Sequence, residues 1–172
     1  ISCGEEQRQR EVWIRDSVKG RGSAIARRVR AEGHELGNHS WDHSELRAGG
    51  EAATRQLVDT NAAIRKATGF TPCVFRPPYG ATGRDLVDRT RALGMTSVLW
   101  DADTNDYQRL GVAAISAHLL NDPQNGSIML MHDGGGNRSQ TVAALRKALP
   151  TLRDRYELVT VSQLLGYRQT ST

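Results

Sequence analysis

An α/β protein with a mainly parallel sheet is the fold class this sequence predicts, and three observations predict it. Short apolar runs alternate with helical segments along the chain. No Asn-Gly hairpin separates neighbouring strand-like runs, so the strands are joined through βα crossovers. His39, Arg76, Asp101 and His132 each follow one of those runs. In α/β folds the carboxyl ends of the strands form the active-site face. The architecture thus predicts a site before any motif is read.

The first twenty residues set Val12, Trp13 and Ile14 among charges and end at Gly20 and Gly22, which predicts a loop or poorly packed helix. From Ala24 to Ala31 the spacing of Ile25 and Val29 predicts a helix. Gly33 stops it, and His34 to Asn38 reads as a short buried strand. A helix follows from about Ser44 to Lys66, carrying Leu46, Ala53, Leu57 and Ile64. Cys73 to Phe75 is a strand, Arg84 to Ala92 a helix, and Thr96 to Trp100 a strand leading into Asp101 and Asp103. Val112 to Leu120 is helical, Ile128 to Met131 a strand, and Gln140 to Leu149 helical. Tyr156 to Val161 is the last expected strand, before a short helix around Leu164.

With 172 residues, 38% of them hydrophobic and 24% charged, the chain suits one globular domain spanning 1–172 and excludes a disordered one. Its longest near-apolar run, Ser127 to Met131, is too short for a transmembrane segment. The net charge of +4 is carried almost entirely by arginine, the lysines being Lys19, Lys66 and Lys147. These arginines are scattered and not interleaved with aromatics, which argues against a nucleic-acid partner. Cys3 and Cys73 leave one disulfide open, and neither forms a close pair of the structural zinc type.

Four motifs carry chemistry. In His39-Ser40-Trp41-Asp42-His43, imidazoles four residues apart reach one point if the segment makes a helical turn. Neutral imidazole is a good ligand for zinc or cobalt. A third ligand is left open among Asp42, Asp101, Asp103 and Asp133. In Arg76-Pro77-Pro78-Tyr79-Gly80, two prolines fix a bend and the glycine admits a close ligand. Asp101 to Tyr107 opens like a calcium loop but lacks the glycine and glutamate an EF-hand needs. In Leu130-Met131-His132-Asp133-Gly134, a histidine after an apolar strand is placed for proton transfer.

In this order the four motifs resemble the polysaccharide deacetylase, or NodB-like, domain of the family-four carbohydrate esterases. Glu32 to Asn38 and Tyr156 to Val161 resemble it too, and the likeness runs from about Ala24 to Gly166. It implies a distorted (β/α) barrel of the NodB-like type with a groove over a divalent metal, zinc by default and cobalt as an alternative. By the same resemblance His39 and His43 are metal ligands, and Arg76 orients the aspartate that serves as base. The backbone near Tyr79 helps form the oxyanion hole, and Asp106 pairs with the general acid His132. Leu130 lines the pocket for the acetyl methyl, and Tyr107 stands where the family usually has Trp, on the groove wall.

Family members usually open with Thr-Phe-Asp-Asp-Gly, which supplies the base and the third metal ligand. No Asp-Asp pair precedes His39 here. The expectation is therefore a domain lacking its first strands, whose fragment is itself weakly active or inactive. The implied activity is metal-dependent removal of acetyl groups from an N- or O-acetylated polysaccharide or oligosaccharide: chitin oligomers, peptidoglycan or xylan. Such substrates imply an extracellular or cell-wall-associated protein. The alternative is a non-catalytic carbohydrate-binding or structural remnant of the same fold. A different metal amidohydrolase or a phosphoesterase is disfavoured by the Arg-Pro-Pro-Tyr-Gly loop.

Overall fold

The computed structural model describes residues 11–14 and 21–167. These fall into two compact units, the first formed by the chain up to Leu99 together with the segment from Val159, the second by Trp100–Leu158.

The first unit is a parallel sheet covered by helices. Strands β1 (Glu11–Ile14), β2 (Glu35–Asn38), β3 (Val74–Phe75) and β4 (Thr96–Ser97) lie side by side in chain order. Ile14 stands opposite Asn38, and Asn38 opposite Phe75. Helices α1 (Arg21–Ala31), α2 (Gly50–Thr68) and α3 (Arg84–Ala92) make the connections. All four residues of β2 are buried, as expected of a strand flanked on both sides and covered by helices. Leu46, Ala53, Leu57, Phe75, Leu86 and Met95 form one apolar cluster, and Ala26, Leu36 and Ile64 another.

Three expectations need correction here. The first twenty residues contain β1, not merely a loop or loose helix; Val12, Trp13 and Ile14 are a strand whose hydrogen bonds are supplied by β2. In α1, Ile25 is 64% exposed and Ala26 takes the buried position beside Val29. Helix α2 begins at Gly50, six residues later than Ser44. Gly49 adopts φ 68°, and a β-carbon there would collide with Asp85, whose carboxylate accepts the Gly50 N–H at 2.8 Å. The chain turns sharply at this pair before it can become helical.

The second unit pairs β5 (Ala102–Asp103) with β6 (Met129–Leu130) in parallel. Helices α4 (Val112–Asn121) and α5 (Ser139–Arg155) pack through Ile115, Leu119, Ala144, Ala148 and Leu152. Strand β5 falls within the acidic motif Asp101 to Tyr107. Helix α5 runs through Pro150 instead of stopping at Leu149. An interior proline costs about 3 kcal/mol, and burial of apolar side chains such as Leu152 beyond it offsets that. The expected strand from Tyr156 to Val161 is not formed. Tyr156 is extended, with its hydroxyl on the Pro123 carbonyl at 2.8 Å. In the first unit, Thr160 gives its N–H to Gln163 Oε1 as the cap of α6 (Val161–Leu164), which removes it from any ladder.

No helix among the described residues is long and apolar enough to cross a membrane. Cys73 is a free thiol, and Cys3 lies outside the described residues.

Candidate functional site

In the first unit the polar residues leave the carboxyl ends of β2 and β3. The His39–His43 segment is not the helical turn expected from its spacing. It is an open loop in which Ser40 and His43 adopt left-handed backbone, φ 66° and 67°. Side chains hold that shape. Asn38 is fully buried, donating to the Leu57 carbonyl and to Asn61 Oδ1, both at 2.8 Å, and accepting the Ser40 N–H at 3.0 Å. Ser40 Oγ accepts the His43 N–H at 3.0 Å. Gln56 Oε1, on α2, accepts the Trp41 N–H at 2.7 Å and the Asp42 N–H at 3.1 Å.

The loop brings the two imidazoles together by another route. Their ring centroids lie 4.9 Å apart, edge to face. His39 Nδ1 stands 2.6 Å from the Arg76 carbonyl. A carbonyl only accepts, so Nδ1 carries the proton and donates, and a metal would be taken at Nε2. Tyr79, in left-handed conformation at φ 59°, sets its ring edge-on to His43 at 4.7 Å while remaining 70% exposed. Arg76 is buried at the end of β3, its N–H on the Asn38 carbonyl. His39, His43, Tyr79 and the Arg76 backbone therefore form one constellation.

The second unit holds the other one. Asp106 is 1% exposed and lies in a short 3-10 turn, Asp106–Gln108, bounded by left-handed Asn105 and Arg109. Its Oδ1 meets His132 Nδ1 at 2.7 Å, and its Oδ2 accepts the His132 N–H at 3.0 Å and the Thr141 hydroxyl at 2.8 Å. Tyr107 lies edge-on to His132, with ring centroids 5.6 Å apart. Leu130 is buried on β6, its carbonyl accepting the Thr104 hydroxyl. Asp101 and Asp103, open candidates for the metal, are engaged locally: Asp101 accepts from Ser127 Oγ and Ile128 N, and Asp103 from Asn105 N. Asp42 likewise caps the Ser44 N–H.

Burial raises the Asp106 pKa, but the His132 ring, the Thr141 hydroxyl and the His132 N–H outweigh it and lower the value to about 2. A carboxylate depressed from its unfolded value contributes stability above the unfolded pKa and loses it as pH falls through the folded one. The window here runs from about pH 4 down to about 2, and the contribution is about 2 kcal/mol. Denaturant unfolding at pH 5 and pH 2 should therefore show a larger acid loss in the wild type than in Asp106→Asn. Equal losses in both would remove Asp106 from the acid response.

Five non-glycine residues among the described ones have left-handed backbone: Ser40, His43, Tyr79, Asn105 and Arg109. All lie within or next to the motif loops. Such conformations persist only where surroundings enforce them, and they cluster at functional sites. The donor set also suits a metal in part, since two imidazoles, one oriented by a carbonyl, are typical ligands. Among the described residues no group of three His, Cys, Asp or Glu side chains is placed to hold an ion. What the sequence reading missed is Thr141, whose only signal was its place at the start of a predicted helix.

The first unit thus carries paired imidazoles at its strand ends, and the second a buried Asp–His pair. The chain belongs to the polysaccharide deacetylase family, whose model matches residues 9–98 and so includes β1. It is 37% identical over 148 residues to a peptidoglycan-N-acetylglucosamine deacetylase of Bacillus cereus, covering 84% of this chain and 69% of that one. It spans only 30% of the peptidoglycan-N-acetylglucosamine deacetylase PgdA of Listeria monocytogenes, with 32% identity over 83% of this chain. Among solved structures, a family 4 acetyl xylan esterase from Clostridium thermocellum, in complex with a cobalt ion, superposes with a TM-score of 0.82. It shares 31% identity over 92% of this chain and 80% of that one. A CE4 family pseudoenzyme from Bacillus anthracis superposes at 0.83, with 25% identity over 91% of this chain and 55% of that one. The fold is thus the α/β fold of the NodB-like structures.

Proposed function

We propose that the protein is a metal-dependent deacetylase acting on N-acetylated wall polysaccharide or its oligomers, facing the cell wall or exterior. The observation that carries this reading is the His39–His43 pair on its enforced loop, with His39 Nδ1 tied to the Arg76 carbonyl. His39 and His43 would hold the metal. Bound there, a divalent cation such as zinc or cobalt supplies Lewis-acid polarisation of the acetyl carbonyl and activation of water. The Tyr79 backbone would donate to the developing oxyanion, and Leu130 would line the acetyl-methyl pocket. Tyr107 would give sugars an aromatic wall, and Arg76 would orient the carboxylate that takes the water proton. His132, held by Asp106, would protonate the departing amine. An amine leaves poorly as an anion, so this proton is the costly part of amide cleavage. An N-acetyl substrate is favoured by the Bacillus cereus relative, an O-acetyl one by the Clostridium structure.

The non-catalytic reading is supported by one specific observation. No Asp-Asp pair precedes His39 in this sequence, and among the described residues no third His, Cys, Asp or Glu joins His39 and His43. Metal-assisted hydrolysis needs a group that takes the water proton. Acetate release from a chito-oligosaccharide by the protein supplied with zinc, with bound metal measured alongside, separates the two readings. Release supports the deacetylase. Metal and oligosaccharide bound without release make the chain a binding protein on a deacetylase fold and sink the deacetylase reading.

A further inference from the structure

Asp106 is held by two residues, and only one of them belongs to the proposed reaction. Both its Oδ1 contact and one of its Oδ2 contacts come from His132 itself, through the ring and the backbone N–H. Among the described residues, Thr141 is the carboxylate's hydrogen-bond partner besides His132. Partners on a single residue would let the pair turn together. A partner on a separate, rigid element prevents that.

Thr141 is such a partner. It is buried in the first turn of α5, and α5 is fixed by the packing of Ala144, Ala148 and Leu152 with Ile115 and Leu119 of α4. Asp106, by contrast, sits in a turn flanked by two left-handed residues. The use of the hydroxyl is also unusual within this chain. Thr54, Thr60 and Thr68 on α2 each donate to the carbonyl four residues back, the ordinary habit of a helical threonine. Thr141 instead reaches a carboxylate 35 residues away.

We infer that Thr141 is a positioning residue for proton transfer: its hydroxyl locks Asp106 Oδ2, so that Oδ1 holds the Nδ1–H of His132 and Nε2 is aimed at the substrate. This rests on the deacetylase reading and names a component of its acid machinery. As the C–N bond breaks, its electron pair stays on nitrogen, which takes the Nε2 proton. The imidazolium becomes neutral imidazole, and the Asp106 carboxylate keeps its charge throughout. The other titratable group shown facing His132 is Tyr107, whose ring lies edge-on to the imidazole.

The test compares Thr141→Val, which keeps shape and loses the donor, with Thr141→Ser, which keeps the donor. In NMR titration of the folded protein, Thr141→Val should raise the Asp106 carboxyl pKa from about 2 and shift or broaden the His132 Nδ1 proton resonance, while Thr141→Ser leaves both near wild type. In acetate release, Thr141→Val should lower kcat for an N-acetyl sugar about 10-fold, a part of the 10² to 10⁴ that a general acid supplies. KM should hold, and an activated aryl acetate should be nearly unaffected. The inference is overturned if the Asp106 titration and the Nδ1 resonance do not move in Thr141→Val, or if Thr141→Ser behaves like valine. If the protein releases no acetate the deacetylase reading fails instead, and the NMR comparison still decides what Thr141 does to Asp106.

Discussion

Alanine at His39 or at His43 should each empty the same metal site. Equilibrium dialysis with zinc, or titration with cobalt followed by its visible spectrum, should show the affinity of both variants falling by more than the roughly 10- to 100-fold that follows loss of a group merely orienting a ligand. The geometry sets the two apart in one respect. His39 is buried and fixed through Nδ1 to the Arg76 carbonyl, whereas His43 owes its place to a left-handed backbone and to the Ser40 hydroxyl. Ser40→Ala should therefore weaken metal binding through His43 alone, and less than removal of either ring. Unchanged stoichiometry in His39→Ala or His43→Ala would remove the shared site, and with it the metal-dependent reading.

Most of this site could be read from the sequence because strand ends announce themselves. A short apolar run followed by His or Arg marks β2, β3 and β6, so the polar residues at those strand ends stand out in the sequence itself. What could not be read was loop geometry. The spacing of His39 and His43 suggested a helical turn, yet the imidazoles meet through left-handed residues fixed by Asn38 and Gln56, which lie outside the motif's two histidines. β1 was hidden for a related reason. Its three apolar residues sit among charges, so local pattern favours a loop, and only pairing with β2 makes it a strand. α5 continues through Pro150 because burial of Leu152 beyond it outweighs the low helix propensity of proline, and that burial is not visible locally. The strand expected near Val159 failed because the Thr160 N–H is taken by a side chain.

Removal of the His132 imidazole has the largest expected effect on turnover. His132→Ala should lose about 10² to 10⁴ in kcat on an N-acetyl sugar. Its metal content should stay near that of the parent, because the proposed ligands are His39 and His43. The leaving group supplies the sharper test. An alcohol that is already acidic departs as its anion, so an activated aryl acetate should lose far less rate than the amide. Asp106→Ala should show the same selectivity in milder form, since the imidazole remains but loses the carboxylate that holds Nδ1 at 2.7 Å. The backbone N–H of His132 also loses its acceptor there, so some instability is expected, and rates should be compared on folded protein. Equal losses on both substrates would mean that His132 does not donate the proton. Loss of metal from His132→Ala would make it a ligand, and the division of labour between the paired imidazoles and the Asp106–His132 pair would have to be redrawn.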